Sequence, residues 1–286
     1  MKGFFDMLTI IEVLKAILFG VVEGITEWLP ISSTGHMILL DEFVKLNVSK
    51  EFLDLFLVVI QLGAILAVVV IYWNKLIPLS TNHGLHISRR KCKMWVKIIV
   101  ASIPAGVVGI LWDDVFTKYF YNYQTVAIML ILVGVVFILV ERANKNKVAR
   151  VDSIDDISYG QAFMIGVFQM IAAIFPGTSR SGSTIVGSLM LGISRTAAAE
   201  FTFFLAVPAM FGGSAIKILK YDGGFNSSEV ALLAIGMIVA FVLSIIAIKF
   251  LMSYIKKHDF KAFGWYRIVL GIVVILYFLF AGKLLA

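Results

Sequence analysis

The chain has 286 residues, of which 60% are hydrophobic and 15% charged, and its net charge is +7. Soluble domains are about 45–50% apolar and about 25% charged, so the composition argues against soluble, disordered, fibrous and disulfide-stapled proteins. The mean hydropathy of +0.96 instead predicts an integral membrane protein, with about six to ten membrane segments at this length. The single cysteine, Cys92, excludes an internal disulfide and a Cys-ligated metal site.

Six apolar runs are long enough to cross a membrane as helices. They are Phe52–Trp73, Met94–Trp112, Gln124–Val140, Thr196–Ile218, Val230–Met252 and Phe263–Phe280. The first apolar stretch of the chain lacks a small-residue cleavage site, so we expect no signal peptide there.

Two further apolar regions are interrupted by polar residues. Ile10–Leu40 contains Glu23, Glu27, a proline and a Ser-Ser-Thr-Gly-His run, and Tyr159–Leu191 contains Gln169, a Pro-Gly pair and a Thr-Ser-Arg-Ser-Gly-Ser-Thr run. In each region the apolar piece after the interruption is too short for a full crossing. We therefore predict two re-entrant helical hairpins, over residues 10–44 and 158–193.

The two interrupted regions resemble each other at a constant spacing of 146 residues. This spacing pairs Gly20-Val21 with Gly166-Val167, Glu23 with Gln169, Pro30 with Pro176, Ser32 with Thr178 and Ser33 with Ser179. Each hairpin precedes three spans, and because three is odd, the second half must be inserted upside down. The sequence thus predicts an all-α membrane fold with an inverted-topology repeat and a site between the halves. The first repeat covers residues 1–141, a cytoplasmic linker covers 142–157 and the second repeat covers 158–286.

The loop charges predict the orientation. Residues 74–97 contain six Lys/Arg, and residues 142–157 and 253–267 contain four each, whereas residues 113–123 and 219–229 contain one each. Because positively charged loops stay in the cytoplasm, both termini and the entrance of the first hairpin should lie outside. We therefore expect the site to open outward, and we read the positive charge as orientation and not as nucleic-acid binding.

Two carboxylates lie four residues apart in the first hairpin. Glu23 and Glu27 would share one face of a helix. Two buried carboxylates at this distance repel each other, so either one takes up a proton or a cation lies between them. A hard divalent cation would suit oxygen ligands. The alternative is a pair of acids that line a wet cavity or pair with basic residues.

Ser33 and His36 follow the two acids. A serine hydroxyl is a weak nucleophile without a base within hydrogen-bond reach, and either His36 or Glu27 could be that base. The other histidines, which are His83, His86 and His258, lie in basic loops. Alternatively, Ser32, Ser33 or Thr34 caps a helix that begins near Gly35, and both interpretations hold together if the helix N-terminus attracts phosphate.

The second hairpin carries features of an anion site. Gly177 allows a close backbone approach, the hydroxyls of residues 178–184 are donors to phosphate oxygens, and Arg180 offers a planar fork suited to phosphate. The alternative for Arg180 is an ion pair with Glu23 or Glu27 that only locks the halves together. Arg195 and Glu200 are weaker candidates, which we expect to end or pair a neighbouring helix.

The combination of acids, a hydroxyl, a base and an anion clamp favours phosphoryl transfer to water at a membrane. The chain contains neither of the two Gly-rich nucleotide-binding motifs, Gly-x-x-x-x-Gly-Lys-Ser/Thr and Gly-x-Gly-x-x-Gly. The inverted repeat favours a different class, a lipid-phosphate transporter or flippase, and a non-catalytic lipid-binding scaffold is a third alternative.

The two polar clusters resemble the signatures of the bacterial undecaprenyl-diphosphate phosphatase family, also called the bacitracin-resistance family. The first is Glu23-x-x-x-Glu27 followed by Leu-Pro-Ile-Ser-Ser-Thr-Gly-His36, and the second is Pro176-Gly-Thr-Ser-Arg180-Ser-Gly-Ser-Thr184. The resemblance covers essentially the whole chain. It implies hydrolysis of undecaprenyl diphosphate to undecaprenyl phosphate and inorganic phosphate, which recycles the carrier lipid for cell-wall synthesis and confers bacitracin resistance.

The resemblance also implies a divalent cation, Mg²⁺ or Ca²⁺, held by Glu23 and Glu27. These two acids would act on the metal or in acid/base work, either Ser33 or His36 would be the nucleophile, and Arg180 would hold the diphosphate. The residues expected to bind the substrate are Ser32, Thr34, Gly177, Thr178, Ser179, Ser181, Ser183 and Thr184. Asp156 matches a further acidic position. The expected setting is the bacterial plasma membrane, with membrane lipid and a second copy of the chain as candidate partners.

Overall fold

A computed structural model describes residues 10–80 and 86–284 of the chain, so His83 lies outside the described residues. The helices are α1 (Ile10–Thr26), α2 (Ser33–Phe43), α3 (Lys50–Ile71), α4 (Trp73–Leu76), α5 (Arg89–Phe120), α6 (Tyr123–Asn144), α7 (Tyr159–Ile174), α8 (Arg180–Met190), α9 (Arg195–Leu219), α10 (Ser227–Tyr254) and α11 (Lys261–Leu284). A 3₁₀ turn covers Ile154–Asp156, and strands β1 (Leu79–Ser80) and β2 (His86–Ile87) form an antiparallel pair.

Six of the described helices are long and apolar enough to cross a membrane, which confirms an integral membrane protein and the six predicted spans. The spans lie in α3, α5, α6, α9, α10 and α11. The observed helices extend past several predicted bounds, most of all α5, whose 32 residues continue from Arg89 to Phe120. Large apolar side chains such as Ile103, Ile110 and Ile272 are exposed on these helices, as expected of surfaces that face lipid.

The two interrupted regions form pairs of short helices. α1 has 17 residues and α2 has 11, and their counterparts α7 and α8 have 16 and 11. At 1.5 Å per residue the longest of these is about 26 Å long, less than the ~30 Å hydrocarbon core. The connection between the two helices of each pair ends at a serine, Ser32 in the first pair and Ser179 in the second. We call these connections the serine turns, and Arg267 contacts both of them.

One detail of the predicted repeat is wrong. The spacing of 146 residues pairs Ser33 with Ser179. In the structure, however, Ser32 and Ser179 occupy equivalent positions, because each is the N-cap of the second helix of its pair, α2 or α8. Both serines have positive φ, 75° for Ser32 and 69° for Ser179. The stretch from the proline to the N-cap is one residue longer in the second connection, Pro176 to Ser179, than in the first, Pro30 to Ser32. Gly177, which also has a positive φ of 87°, lies in the longer stretch.

The helices of the two halves pack in matching pairs. Gly134 of α6 and Gly264 of α11 face each other, so that a Cβ at either position would lie 2.7 or 2.8 Å from the carbonyl oxygen of the other. Gly20 of α1 is packed against the Gly236 carbonyl of α10, and Gly166 of α7 is packed in the same way against α5. Close helix approach at small residues is typical of membrane proteins, and here it brings both serine turns together.

Arg267 is a second correction to the sequence analysis. It was counted among the charges of the loop at residues 253–267, but it lies inside α11 and is fully buried. The basic residues that remain in that loop are Lys256, Lys257 and Lys261.

Candidate active site

The N-termini of α2 and α8 form the floor of the site. The Ser32 hydroxyl accepts a hydrogen bond from the Gly35 N–H at 3.3 Å, and the Ser179 hydroxyl accepts one from the Gly182 N–H at 3.1 Å. The other N–H groups of a first helical turn have no acceptor within the helix, and such a terminus attracts anions. Positive φ at non-glycine residues is backbone strain of the kind that clusters at functional sites.

Glu27 is the point at which the two halves meet. Its Oε1 accepts a hydrogen bond from Arg180 Nη2 at 2.7 Å, and its Oε2 accepts one from the Ser33 hydroxyl at 2.6 Å. The Ser181 hydroxyl also donates to the Glu27 carbonyl at 3.3 Å. Glu27 and Arg180 are 153 residues apart in sequence, so the site requires both hairpins.

Among the buried polar atoms of the described residues that have no hydrogen-bond partner, three belong to Glu23, Arg180 and Thr178. They are Glu23 Oε1, Arg180 Nη1 and the Thr178 hydroxyl. Glu23 is 1% exposed and interacts electrostatically with both Glu27 and Arg180. Buried polar atoms are rarely left unpaired, and each exception suggests an absent water, ion or ligand. Acceptor and donor atoms together would suit a bound cation next to an oxyanion.

His36 does not contact Ser33. Its Nδ1–H donates to the Ser32 carbonyl at 2.7 Å, and its Nε2 lies 2.7 Å from the Tyr266 hydroxyl. A neutral imidazole that donates from Nδ1 accepts at Nε2, so both ring nitrogens are engaged. Of the two candidate bases, His36 and Glu27, it is Glu27 that lies within hydrogen-bond reach of Ser33.

The remaining hydroxyls of the second cluster differ in role. Ser183 and Thr184 donate back to the Arg180 carbonyl at 3.1 and 2.9 Å, and Thr184 also contacts Thr202 at 2.9 Å. These two hydroxyls hold α8 in shape. Thr34 lies half-buried in the first turn of α2, and Gly177 lies under the turn, where a Cβ would come within 2.6 Å of the Val126 carbonyl.

Two residues of α11 complete the site and were missed in the sequence analysis. Tyr266 binds His36, and the two rings stack with their centroids 5.7 Å apart. Arg267 donates to the carbonyls of Pro30, Gly177 and Thr178. The signal for Arg267 was present, because a charged residue in an apolar helix is a functional candidate. Because Arg267 follows a basic loop closely in sequence, it was counted as one of the charges of that loop.

The weaker candidates lie outside this centre. Arg195 pairs with the buried Glu141, and Glu200 pairs with Lys75, so both bind a neighbouring helix. Asp156 is exposed in the 3₁₀ turn. Within the described residues, no group of three or more His, Cys, Asp or Glu side chains could hold a metal ion.

The fold and site define a helical membrane protein in which Glu27 joins a serine and an arginine from distant parts of the chain. Residues 16–273 match the model of the family described as bacitracin resistance protein BacA, and the chain belongs to that family.

Relatives of nearly the same length carry one name. The chain is 64% identical to the undecaprenyl-diphosphatase of Desulfitobacterium hafniense, with 95% of this chain and 98% of the relative covered. It is 61% identical to undecaprenyl-diphosphatase 1 of Clostridium acetobutylicum over 94% of this chain and 98% of the relative. It is 58% identical to the undecaprenyl-diphosphatase of Enterococcus faecalis, with the same coverage.

Proposed function

We propose that this protein hydrolyses undecaprenyl diphosphate to undecaprenyl phosphate and inorganic phosphate. The observation that carries the proposal is the contact of the Glu27 carboxylate with both the Ser33 hydroxyl and the Arg180 guanidinium. These groups supply a nucleophile, its base and a phosphate ligand, which are the parts that phosphoryl transfer requires. The family and the names of the relatives agree with this reaction.

Substrate binding uses the unpaired groups of the site. Arg180 Nη1 and the Thr178 hydroxyl are free to donate, and the N-termini of α2 and α8 add backbone N–H groups. When the diphosphate engages Arg180, it competes with Glu27 for the guanidinium. Glu27 then keeps the Ser33 hydroxyl as its partner and is available to take its proton.

The reaction proceeds in two steps. Ser33 Oγ attacks the terminal phosphorus while its proton passes to Glu27, and the bond from that phosphorus to the bridging oxygen breaks. Undecaprenyl phosphate leaves with the bridging oxygen. The proton on Glu27 then passes to solvent, which restores the carboxylate. Water attacks the phosphoserine while Glu27 takes its proton. The bond from Ser33 Oγ to phosphorus breaks, Oγ regains a proton from Glu27, and inorganic phosphate leaves. Attack by His36 is less favoured, because Ser32 and Tyr266 occupy its two ring nitrogens.

A divalent cation, Mg²⁺ or Ca²⁺, fits the donor set. Glu23 Oε1 is buried and unpaired, and Glu27 follows one turn later, with its N–H donating to the Glu23 carbonyl at 3.0 Å. Mg²⁺ is commonly held by one or two carboxylates together with substrate phosphates. When bound, such a cation would neutralise the negative charge on the phosphate oxygens. The turns beside these carboxylates are held in place by the hydroxyls of Ser32, Ser179 and Ser181.

The topology we propose is an inverted repeat in which both hairpins enter the membrane part-way. Two observations support this arrangement. The helices α1, α2, α7 and α8 are short, and the helices of the two halves pack in matching pairs. The alternation of loop charge supports a site that opens to the outside of the bacterial plasma membrane. The same symmetry would suit a transporter, which in detergent would release no phosphate.

The direct test is to trap the phosphorylated residue. Undecaprenyl diphosphate labelled in its terminal phosphate is mixed with purified protein, quenched in acid and followed by peptide mapping. We expect the label on Ser33. Label on His36 would overturn attack by serine, and phosphate release without any labelled peptide would overturn the covalent intermediate.

A further inference from the structure

Arg267 is a buried cation whose hydrogen bonds all go to backbone carbonyls. It is 0% exposed, and within the described part of the chain its guanidinium donates to Pro30 O at 3.2 Å, Gly177 O at 2.8 Å and Thr178 O at 2.8 Å. Its Nε is buried without a partner. Burial of a charge is costly unless it is paired, so this arginine has a role beyond filling space.

The three carbonyls belong to both serine turns. Pro30 lies just before Ser32, and Gly177 and Thr178 lie just before Ser179, so one guanidinium holds the two strained N-caps in a fixed relation. A peptide unit is planar, with its C=O and N–H on opposite sides. Because the Thr178 carbonyl points at Arg267, the N–H of Ser179 points away from it.

Arg267 also brings a second positive charge to this centre. Arg180 is paired with Glu27 and is the cation that interacts with Glu23. Arg267 is fully buried, and within the described residues its hydrogen bonds go to backbone carbonyls and not to a carboxylate. Its positive charge therefore favours an anion beside the turns that it joins.

The planar fork explains why this residue is arginine. Nη1 reaches the first turn and Nη2 reaches two carbonyls of the second turn. A lysine ammonium is a compact point charge that does not have the divided geometry of a guanidinium. Gly182, in the first turn of α8, leaves room for the fork, because a Cβ there would lie 3.2 Å from Arg267 Nη1.

We propose that Arg267 is a positioning residue for the phosphatase reaction, which holds the Ser33 turn and the Arg180 turn in register through their backbone carbonyls. The inference rests on the proposed function. It differs from a purely structural role in that loss of the fork should lower turnover in molecules that are still folded.

The test compares Arg267→Lys with Arg195→Lys in full-length protein purified in detergent. Arg195 also makes a forked contact, to Glu141, but lies outside the site. kcat and KM for phosphate release from undecaprenyl diphosphate are measured and normalised to the folded fraction. We expect Arg267→Lys to lower kcat about ten-fold or more with a smaller change in KM, and Arg195→Lys to stay within about two-fold of the wild type.

Several outcomes decide the matter. Folded Arg267→Lys with wild-type kcat would overturn the positioning role. If Arg267→Lys does not fold, Gly182→Ala crowds the junction of Arg267 with the Ser179 turn, because a Cβ there would lie 3.2 Å from both Arg267 Nη1 and Ser179 Cβ. Its control is Gly160→Ala, whose Cβ would have its nearest neighbour 4.0 Å away. Lower kcat for Gly182→Ala alone would support the role, and equal kcat would overturn it. Wild-type protein without phosphate release would instead overturn the proposed function.

Discussion

Glu27→Gln is the substitution with the clearest expected outcome. It keeps the shape of the side chain but removes the charge that accepts hydrogen bonds from Ser33 at 2.6 Å and Arg180 at 2.7 Å. A general base contributes about 10²–10⁴-fold to a rate, so we expect kcat to fall by that factor. Each tenfold loss is about 1.4 kcal/mol in the barrier, which gives about 3–5.5 kcal/mol.

The same change also affects stability. The Arg180 and Glu27 side chains are only 17% and 9% exposed. Loss of one charge from a buried pair costs about 3–5 kcal/mol when the partner is left unpaired. Because glutamine keeps one acceptor oxygen for Arg180, we expect a smaller cost, about 1–3 kcal/mol. The variant should therefore fold, and its loss of activity should exceed its loss of stability.

The assay is phosphate release from undecaprenyl diphosphate in detergent, with thermal unfolding followed on the same samples. Glu200→Gln is the matched control, because Glu200 forms an ion pair with Lys75 away from the site. We expect Glu200→Gln to keep wild-type kcat. A Glu27→Gln protein whose kcat stays within ten-fold of wild type would refute the assignment of Glu27 as the base.

Further substitutions test separate parts of the account. Ser33→Ala should lower kcat by about 10³-fold or more, whereas Ser102→Ala, which removes a hydroxyl bonded only within α5, should not; equal effects would contradict nucleophilic attack by Ser33. Removal of divalent cations with a chelator should abolish phosphate release and added Mg²⁺ should restore it, and full activity in chelator would exclude the cation. Arg195→Met should destabilise the protein by about 3–5 kcal/mol, because the Glu141 carboxylate, which is 0% exposed, loses its counter-charge and keeps the hydrogen bond from the Phe260 N–H; thermal unfolding at wild-type temperature would contradict this. Gly134→Ala should cost about 1–3 kcal/mol by separating α6 from α11, and Gly109→Ala, which has open space around its Cβ, should cost little.

The membrane spans were predictable because an apolar run of about 20 residues has few alternatives to a transmembrane helix. All six runs correspond to observed helices. The acids and the arginine were predictable for the converse reason, since charged residues in apolar segments are costly and are kept for function. What the sequence left open was the choice between catalysis and an ion pair for Arg180. The structure contains the ion pair with Glu27, and Arg180 Nη1 remains unpaired beside it.

Contacts across the chain were the part that sequence reasoning could not supply. His36 is three residues from Ser33, but the helical turn directs it to Tyr266 on α11, and Ser33 turns to Glu27. The register of the repeat shifted by one residue because the second turn accommodates Gly177 at a φ of 87°. Arg267 was hidden by its neighbours in sequence, since only the packing of α11 against both turns distinguishes it from a loop charge.

The central claim is that both hairpins form one phosphatase site. The most direct test is phosphate release from undecaprenyl diphosphate by purified wild-type protein and by Arg180→Ala, each with and without chelator. We expect release by the wild type that requires both the divalent cation and Arg180. Release by folded Arg180→Ala at the wild-type rate would contradict a site shared by the two hairpins, and no release by folded wild-type protein would contradict the phosphatase assignment.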